Sequence, residues 1–332
     1  MPSATREILP RLLRFGNYIP RHGHWVLSFL LAVAASPALR LAGVSPDATV
    51  IHRWLASIIV WSLIAVLFLY PFGVPGEFLA KIDRGSTLKW IRWSDIGAAV
   101  VSAAYFAFGF VLVLIYNPII AAARFTGKGD EELTHWDAYL LHGGSISAWS
   151  HHVVARFPRL FAPAEDVYFA MFGLVGAAIL IVAASYGLRR GLQMVGACLT
   201  AYYIALFLFY LLPSLGPYLT DAGHFRSWPL GSIYTEQATG IAELTGPKSA
   251  LRADYFIGFP CMHIVKPAVS AWFLRKRGWL GWFFAGYTVL LIPVIFVLDQ
   301  HYLVDVLGGA ALIPISICAV GGFDRQKTRD LS

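Results

Sequence analysis

Residues 279–298 read WLGWFFAGYTVLLIPVIFVL, a run with no acidic or basic side chain anywhere along it. As a helix it would be about 30 Å long, which matches the hydrocarbon thickness of a bilayer. A run apolar on every side has no polar face to turn towards water, so it reads as a membrane-spanning helix. Arg275-Lys276-Arg277-Gly278 precedes it, and Asp299-Gln300-His301-Tyr302-Leu303-Val304-Asp305 follows it. The span therefore has a basic end and an end rich in groups able to do chemistry.

Apolar runs of similar kind recur through the chain, at 25–41, 50–72, 96–119, 167–186, 192–212, 262–274 and 302–320. Together they predict an all-α integral membrane protein with about eight transmembrane helices, at about 20 residues per crossing. The run at 262–274 is short and carries His263 and Lys266, which makes it the weakest by hydropathy. Asn117-Pro118 and Pro213 read most simply as helix ends.

Composition agrees with lipid as the solvent. Hydrophobic residues make up 58% of the 332 positions and charged ones 14%, whereas soluble domains run at about 45–50% and about 25%. The net charge of +7 does not point to nucleic acid, because no basic patch interleaved with aromatics stands in a polar segment. It sorts by topology instead. With a cytoplasmic N-terminus, Arg6, Arg11, Arg14 and Arg21 fall inside, as do Lys81, Arg84, Lys89 and Arg92. Arg189, Arg190, Arg275, Lys276 and Arg277 follow, then Arg325, Lys327 and Arg329. Short loops holding only Arg and Lys as charges, such as 187–191 and 275–278, are where the positive-inside rule has most force. Both termini are expected in the cytoplasm, with 120–166, 213–261 and 298–301 on the extracytoplasmic side, periplasmic or lumenal. No cleavable signal peptide is expected, since the apolar run after the basic first 24 residues lacks a small-residue cleavage site.

The loop 120–166 has helix-like stretches at 136–141 and 146–154, and predicts an amphipathic helix on the outer leaflet. The loop 214–260 is long, polar and charged, and it leads into Gly258-Phe259-Pro260-Cys261-Met262-His263-Ile264-Val265-Lys266. Ionisable groups at the mouth of a membrane bundle are costly and are functional candidates by default. His301 and Asp305 are spaced i, i+4, which puts them on one helical face. A carboxylate there can hold one ring nitrogen and leave the other as a nucleophile. His263 can supply general acid and base, and Lys266, one turn on, a cation for phosphate. The cysteines are Cys198, Cys261 and Cys318. Without a CxxC pair they indicate neither a disulfide framework nor a zinc site, and His151-His152 point apart on a helix. No metal and no cofactor is expected. Cys261 as a thiol nucleophile, two residues from His263, fits less well, because such neighbours do not face each other on a helix.

These segments resemble two signatures of the type 2 phosphatidic acid phosphatase superfamily. Pro260-Cys261-Met262-His263 is similar to a Pro-Ser-x-His pattern, and His301-Tyr302-Leu303-Val304-Asp305 to a His-x-x-x-Asp ending, with Gly308-Gly309 following. Tyr210-Leu-Leu-Pro-Ser-Leu-Gly-Pro-Tyr218 and Asp137-Ala-Tyr-Leu-Leu-His-Gly143 resemble segments of the inositol phosphorylceramide synthase-like branch. The resemblance covers residues 96–320 and implies a six-helix core there. Residues 1–95 would then hold a basic segment and two extra spans, and 321–332 a cytoplasmic tail. It implies that His301 attacks phosphorus, His263 is the acid and base, and Asp305 orients the nucleophile. The chain departs from the family pattern in three ways. The Lys-x6-Arg-Pro signature is absent, Val294-Ile295 stand where the family has Ser-Arg, and Cys261 replaces the serine. Lys266, Arg252, Lys248 and Arg226 are the cations available in place of the missing phosphate ligands.

The expected activity is therefore removal or transfer of a phosphate-bearing lipid head group at the outer membrane face, through a phosphohistidine. Water as acceptor gives a phosphatase, and a lipid hydroxyl or polyol gives a transferase, with the branch resemblance favouring transfer. The alternative is a non-catalytic scaffold or a transporter on a degenerate core. A transporter predicts charges near the midplane of several spans, but here the ionisable cluster sits at one face.

Overall fold

With no water to satisfy backbone groups inside lipid, apolar runs must close their hydrogen bonds internally, and a helix does so. The computed structural model describes residues 19–42, a few helical positions between 55 and 63, and residues 93–124, 126–217 and 257–321. Among these residues every regular element is helical. In chain order they are α1 (Ile19–Ala42), α2 (Trp93–Arg124), α3 (Lys128–Leu140), α4 (Ile146–Arg156), α5 (Phe161–Tyr186) and α6 (Leu188–Leu211). After residues 212–261 come α7 (Met262–Leu274), α8 (Trp279–Val297) and α9 (Leu303–Ala319).

Four of these stretches are long and apolar enough to cross a membrane: Asp95–Arg124, Pro158–Tyr186, Leu188–Leu211 and Trp279–Val297. Two shorter apolar stretches lie in α1 and α9, at His24–Ala35 and Leu303–Ala319. Most of the span expected at 50–72 lies outside the described residues. The helix α7 has 13 residues, about 20 Å, so alone it falls short of the hydrocarbon thickness. It is sheltered on all sides, packing against α5, α6, α8 and α9. Burial in protein explains how it carries His263 and Lys266.

The chain does not end its helix at Asn117-Pro118. The helix α2 continues through Pro118 to Arg124. Proline removes one backbone donor, a loss that neighbouring helices in a membrane bundle can absorb. Pro213 does follow a helix end, directly after the α6 cap at Leu212. The core between α2, α5 and α6 is built from Phe110, Leu114, Met171, Ile179, Leu199 and Tyr202. Outward faces carry exposed Phe207, Trp282 and Val289, as a lipid-facing surface would.

The basic turns share one end of the bundle. The chain passes from α5 to α6 through Gly187 alone, whose φ of 83° suits a residue without Cβ. The Arg190 guanidinium lies 4.3 Å from the Phe273 ring centroid, and that of Arg277 lies 5.2 Å from the Tyr186 ring. The α5–α6 and α7–α8 turns are therefore neighbours. His263 lies eleven residues back along α7 from Leu274, about 16 Å away at 1.5 Å per residue, towards the opposite end.

Candidate active site

His301 is presented by a reversal of the chain between α8 and α9. The helix α8 closes with Asp299 N–H donating to Phe296 O and Gln300 N–H to Ile295 O, both at 2.9 Å. That pair of bonds is the Schellman pattern, which needs a left-handed residue and usually takes glycine. Here Asp299 fills the position with a φ of 51°. The Ser147 hydroxyl of α4, at 2.7 and 2.8 Å from the two Asp299 carboxylate oxygens, holds it there. Ser150 of the same helix donates to Val297 O at 3.0 Å.

Past this turn, α9 begins at Leu303, so His301 lies outside the helix. The expectation that His301 and Asp305 meet across one helical face is therefore corrected. Asp305 is the third helical residue, and its carboxylate reaches back to accept the Tyr302 N–H at 2.9 Å, as in half of a capping box. The same oxygen lies 3.1 Å from His301 Nδ1. The cap rather than the helical repeat brings the two together. Nε2 of His301 then faces His263 Nδ1 at 2.9 Å. Tyr168 of α5 stacks on the His263 ring with centroids 4.3 Å apart. His263, His301 and Asp305 are all buried. Burial disfavours a charged His301 ring, but the Cys261 sulfur and the Asp305 carboxylate outweigh it and hold its pKa above the ordinary histidine range.

Cys261 also joins the site. It is the cap residue of α7 with extended backbone, so the helical-face argument that set it apart from His263 does not apply. Its N–H donates to Asp305 O at 2.9 Å. Gly309 permits the approach, since a Cβ there would stand 2.5 Å from Cys261 O. The Cys261 Sγ and one ring nitrogen each of His263 and His301 all lie within 4.8 Å of one another. Sequence spacing gave no sign of this donor set, because the residues are brought together by the fold.

The loop helices α3 and α4 hold the frame together, and their polar buried residues went unassigned in the sequence. Asp137 of α3 accepts the Leu303 and Val304 N–H groups at 2.9 and 3.0 Å. It caps α9 from another helix, where a negative charge also suits the helix dipole. Asp130 accepts from Ser214 Oγ at 2.8 Å and from the Leu215 and Gly216 N–H groups. Burial pushes the Asp130 carboxyl up to about 6 against the pull of these donors. Gly258 N–H donates to Ser214 O at 2.8 Å. Residues 214–216 and Gly258, which flank the residues outside the described part, are thereby tied to one another. Arg226, Lys248 and Arg252 lie outside the described residues.

Lys266 is buried, with Nζ 4.4 Å from the Phe172 ring centroid and 5.3 Å from that of Tyr202. Among the described residues no carboxylate pairs with it. The structure places it one turn from His263, against aromatic faces.

The cap supplied by Asp137 gives a test of the frame. Asp137→Ala removes the acceptor of two α9 N–H groups and should cost about 1–3 kcal/mol. A lower apparent Tm of the detergent-purified protein would register it, and Asp137→Asn should lose less. An unchanged Tm in Asp137→Ala would show that the cap carries no stability.

A family model described as the PAP2 superfamily matches residues 131–319, from the first turn of α3 to the end of α9. Searches of curated proteins and of solved structures gave no match.

Proposed function

Because the chain belongs to the PAP2 superfamily, we propose that it is a membrane-embedded enzyme that takes a phosphate-bearing head group from a lipid through a phosphohistidine at His301. The observation that carries this reading is the relay of Asp305 Oδ2 to His301 Nδ1 at 3.1 Å and His301 Nε2 to His263 Nδ1 at 2.9 Å. Asp305 binds one nitrogen of the nucleophile and leaves the other aimed at the acid. A single proton on the pair serves both roles. On His301 it donates to His263, and moved to His263 Nδ1 it leaves Nε2 of His301 with a free lone pair.

In the reaction the rings part to admit the phosphate between them. Nε2 of His301 forms the P–N bond as the P–O bond to the leaving group breaks, and His263 gives its proton to that oxygen. The incoming hydroxyl then loses its proton to His263, attacks phosphorus and releases His301. Water completes a hydrolysis, and a lipid or polyol hydroxyl completes a transfer, the outcome favoured by the resemblance to the synthase-like branch. Developing charge on phosphorus requires fixed cations. Lys266 is buried with no carboxylate paired to it among the described residues, and an incoming anion would favour its charged form. Arg252, Lys248 and Arg226 are proposed to share that role.

The purified protein should be incubated with a panel of phospholipids and isoprenyl phosphates, scoring both free phosphate and new lipid species. We expect turnover of at least one, surviving EDTA, because every step uses protein groups. Loss of activity on chelation, regained with one particular metal, would contradict the mechanism. The proposed topology has eight spans, cytoplasmic termini and the histidines on the extracytoplasmic side. Single-cysteine labelling should then reach positions in 220–250 from outside and positions in 275–278 from inside. Labelling of both from one side would overturn it.

A further inference from the structure

The donor set at the site has a property beyond phosphoryl transfer. We propose that Cys261, His263 and His301 form a binding site for a thiophilic divalent cation of the Zn2+ type, and that the bound cation closes the site to phosphate. Cation binding stands on the geometry alone, whereas its inhibitory effect rests on the function proposed above.

One sulfur and two imidazole nitrogens favour Zn2+ over Mg2+ or Ca2+, which take oxygen ligands. The typical Zn–N and Zn–S bonds of about 2.0–2.3 Å set tetrahedral N–N and S–N separations of about 3.3–3.6 Å. The two nitrogens here are 2.9 Å apart, and all three donor atoms lie within 4.8 Å of one another. Sub-ångström to ångström adjustments of side chains would seat the ion. The two nitrogens already face each other at 2.9 Å, with Asp305 on the far nitrogen of His301 and Tyr168 stacked on the ring of His263. A carboxylate behind a ligating histidine is a recurrent support of zinc sites. The Cys261 backbone is tied to α9 through Asp305 O, so the ligand-bearing segments are fixed to each other before any ion arrives. Three protein donors leave one position for water or a phosphate oxygen. The ion would occupy His263 Nδ1 and His301 Nε2, the two atoms the phosphoryl transfer needs free.

The test uses the full-length chain, purified in detergent, stripped with chelator and titrated with Co2+ as an optical stand-in for Zn2+. We expect a thiolate-to-Co2+ charge-transfer band saturating at one Co2+ per chain and abolished by added Zn2+. Cys261→Ser should lose the band, while Cys198→Ser and Cys318→Ser keep it. Asp305→Asn should weaken Co2+ binding by about 10–100-fold, the usual effect of losing a support behind a ligating histidine. X-ray absorption of the Zn2+-loaded wild type is independent of any variant's folding and should show one sulfur and two imidazole nitrogens. Absence of the charge-transfer band in the wild type, its survival in Cys261→Ser, or a zinc shell without sulfur would each overturn the site. A chain that binds Co2+ this way yet turns over neither the phospholipids nor the isoprenyl phosphates of the panel would sink the proposed function and leave the site standing. An active chain with no band and no inhibition by Zn2+ would do the reverse.

Discussion

Substitution of His301 by alanine is expected to abolish turnover on every phosphate ester tested, because no neighbouring side chain among the described residues can replace its attacking nitrogen. Its Nδ1 is held by Asp305 at 3.1 Å and its Nε2 faces His263 at 2.9 Å. No other ring among the described residues has a carboxylate on one nitrogen and a second histidine on the other. The protein should stay folded, since His301 lies in the short link between α8 and α9 rather than inside either helix. The turn itself is held by Asp299 and Ser147. Comparing activity with apparent Tm separates the two effects. Near-normal turnover in His301→Ala, with Cys261→Ala dead, would replace the phosphohistidine with a thiol mechanism.

Loss of His263 should cost about 10²–10⁴-fold in kcat, the usual value of general acid and base help. The reduction should be largest for lipid substrates with a poor alkoxide leaving group, and smaller for an aryl phosphate, whose oxygen needs no proton to depart. The double variant should be no worse than His301→Ala alone, since the residues act as one unit. Additive losses would indicate two separate roles.

Much of the fold could be read from hydropathy, because lipid imposes length and composition on every crossing. The limits of α7 and α8 match the apolar runs at 262–274 and 279–298 to within one residue. Pro118 could not be read, since whether proline ends a helix depends on neighbours that hydropathy does not see. Of the site, the grouping of His263, His301 and Asp305 was legible as polar residues at span ends. The manner of their meeting was not. Asp305 reaches His301 through the cap of α9, and a spacing of four residues describes that contact as readily as a helical one. Asp130 and Asp137 gave no signal of their roles, because their partners are about 85 and 166 positions away in the chain and only the fold brings them close. The loop 120–166 read as helix-like only at 136–141 and 146–154, whereas α3 begins at Lys128 and its buried face carries these two acids with Gly129 and Leu133, a pattern that periodicity scores as polar. Cys261 was separated from His263 by a rule for helices, and it sits at a cap where that rule does not hold.

A covalent phosphorus–nitrogen bond at His301 can be trapped and located directly. The His263→Ala variant should be mixed with a phosphorus-labelled aryl phosphate, which can load the enzyme without an acid but cannot be cleared without a base. The reaction is quenched in alkali, and the labelled peptide is located by mass spectrometry. Label is expected on the peptide containing His301, stable to alkali and lost in mild acid, as a phosphoramidate is. Label on Cys261, or turnover of the substrate with no labelled protein at any time, would contradict it.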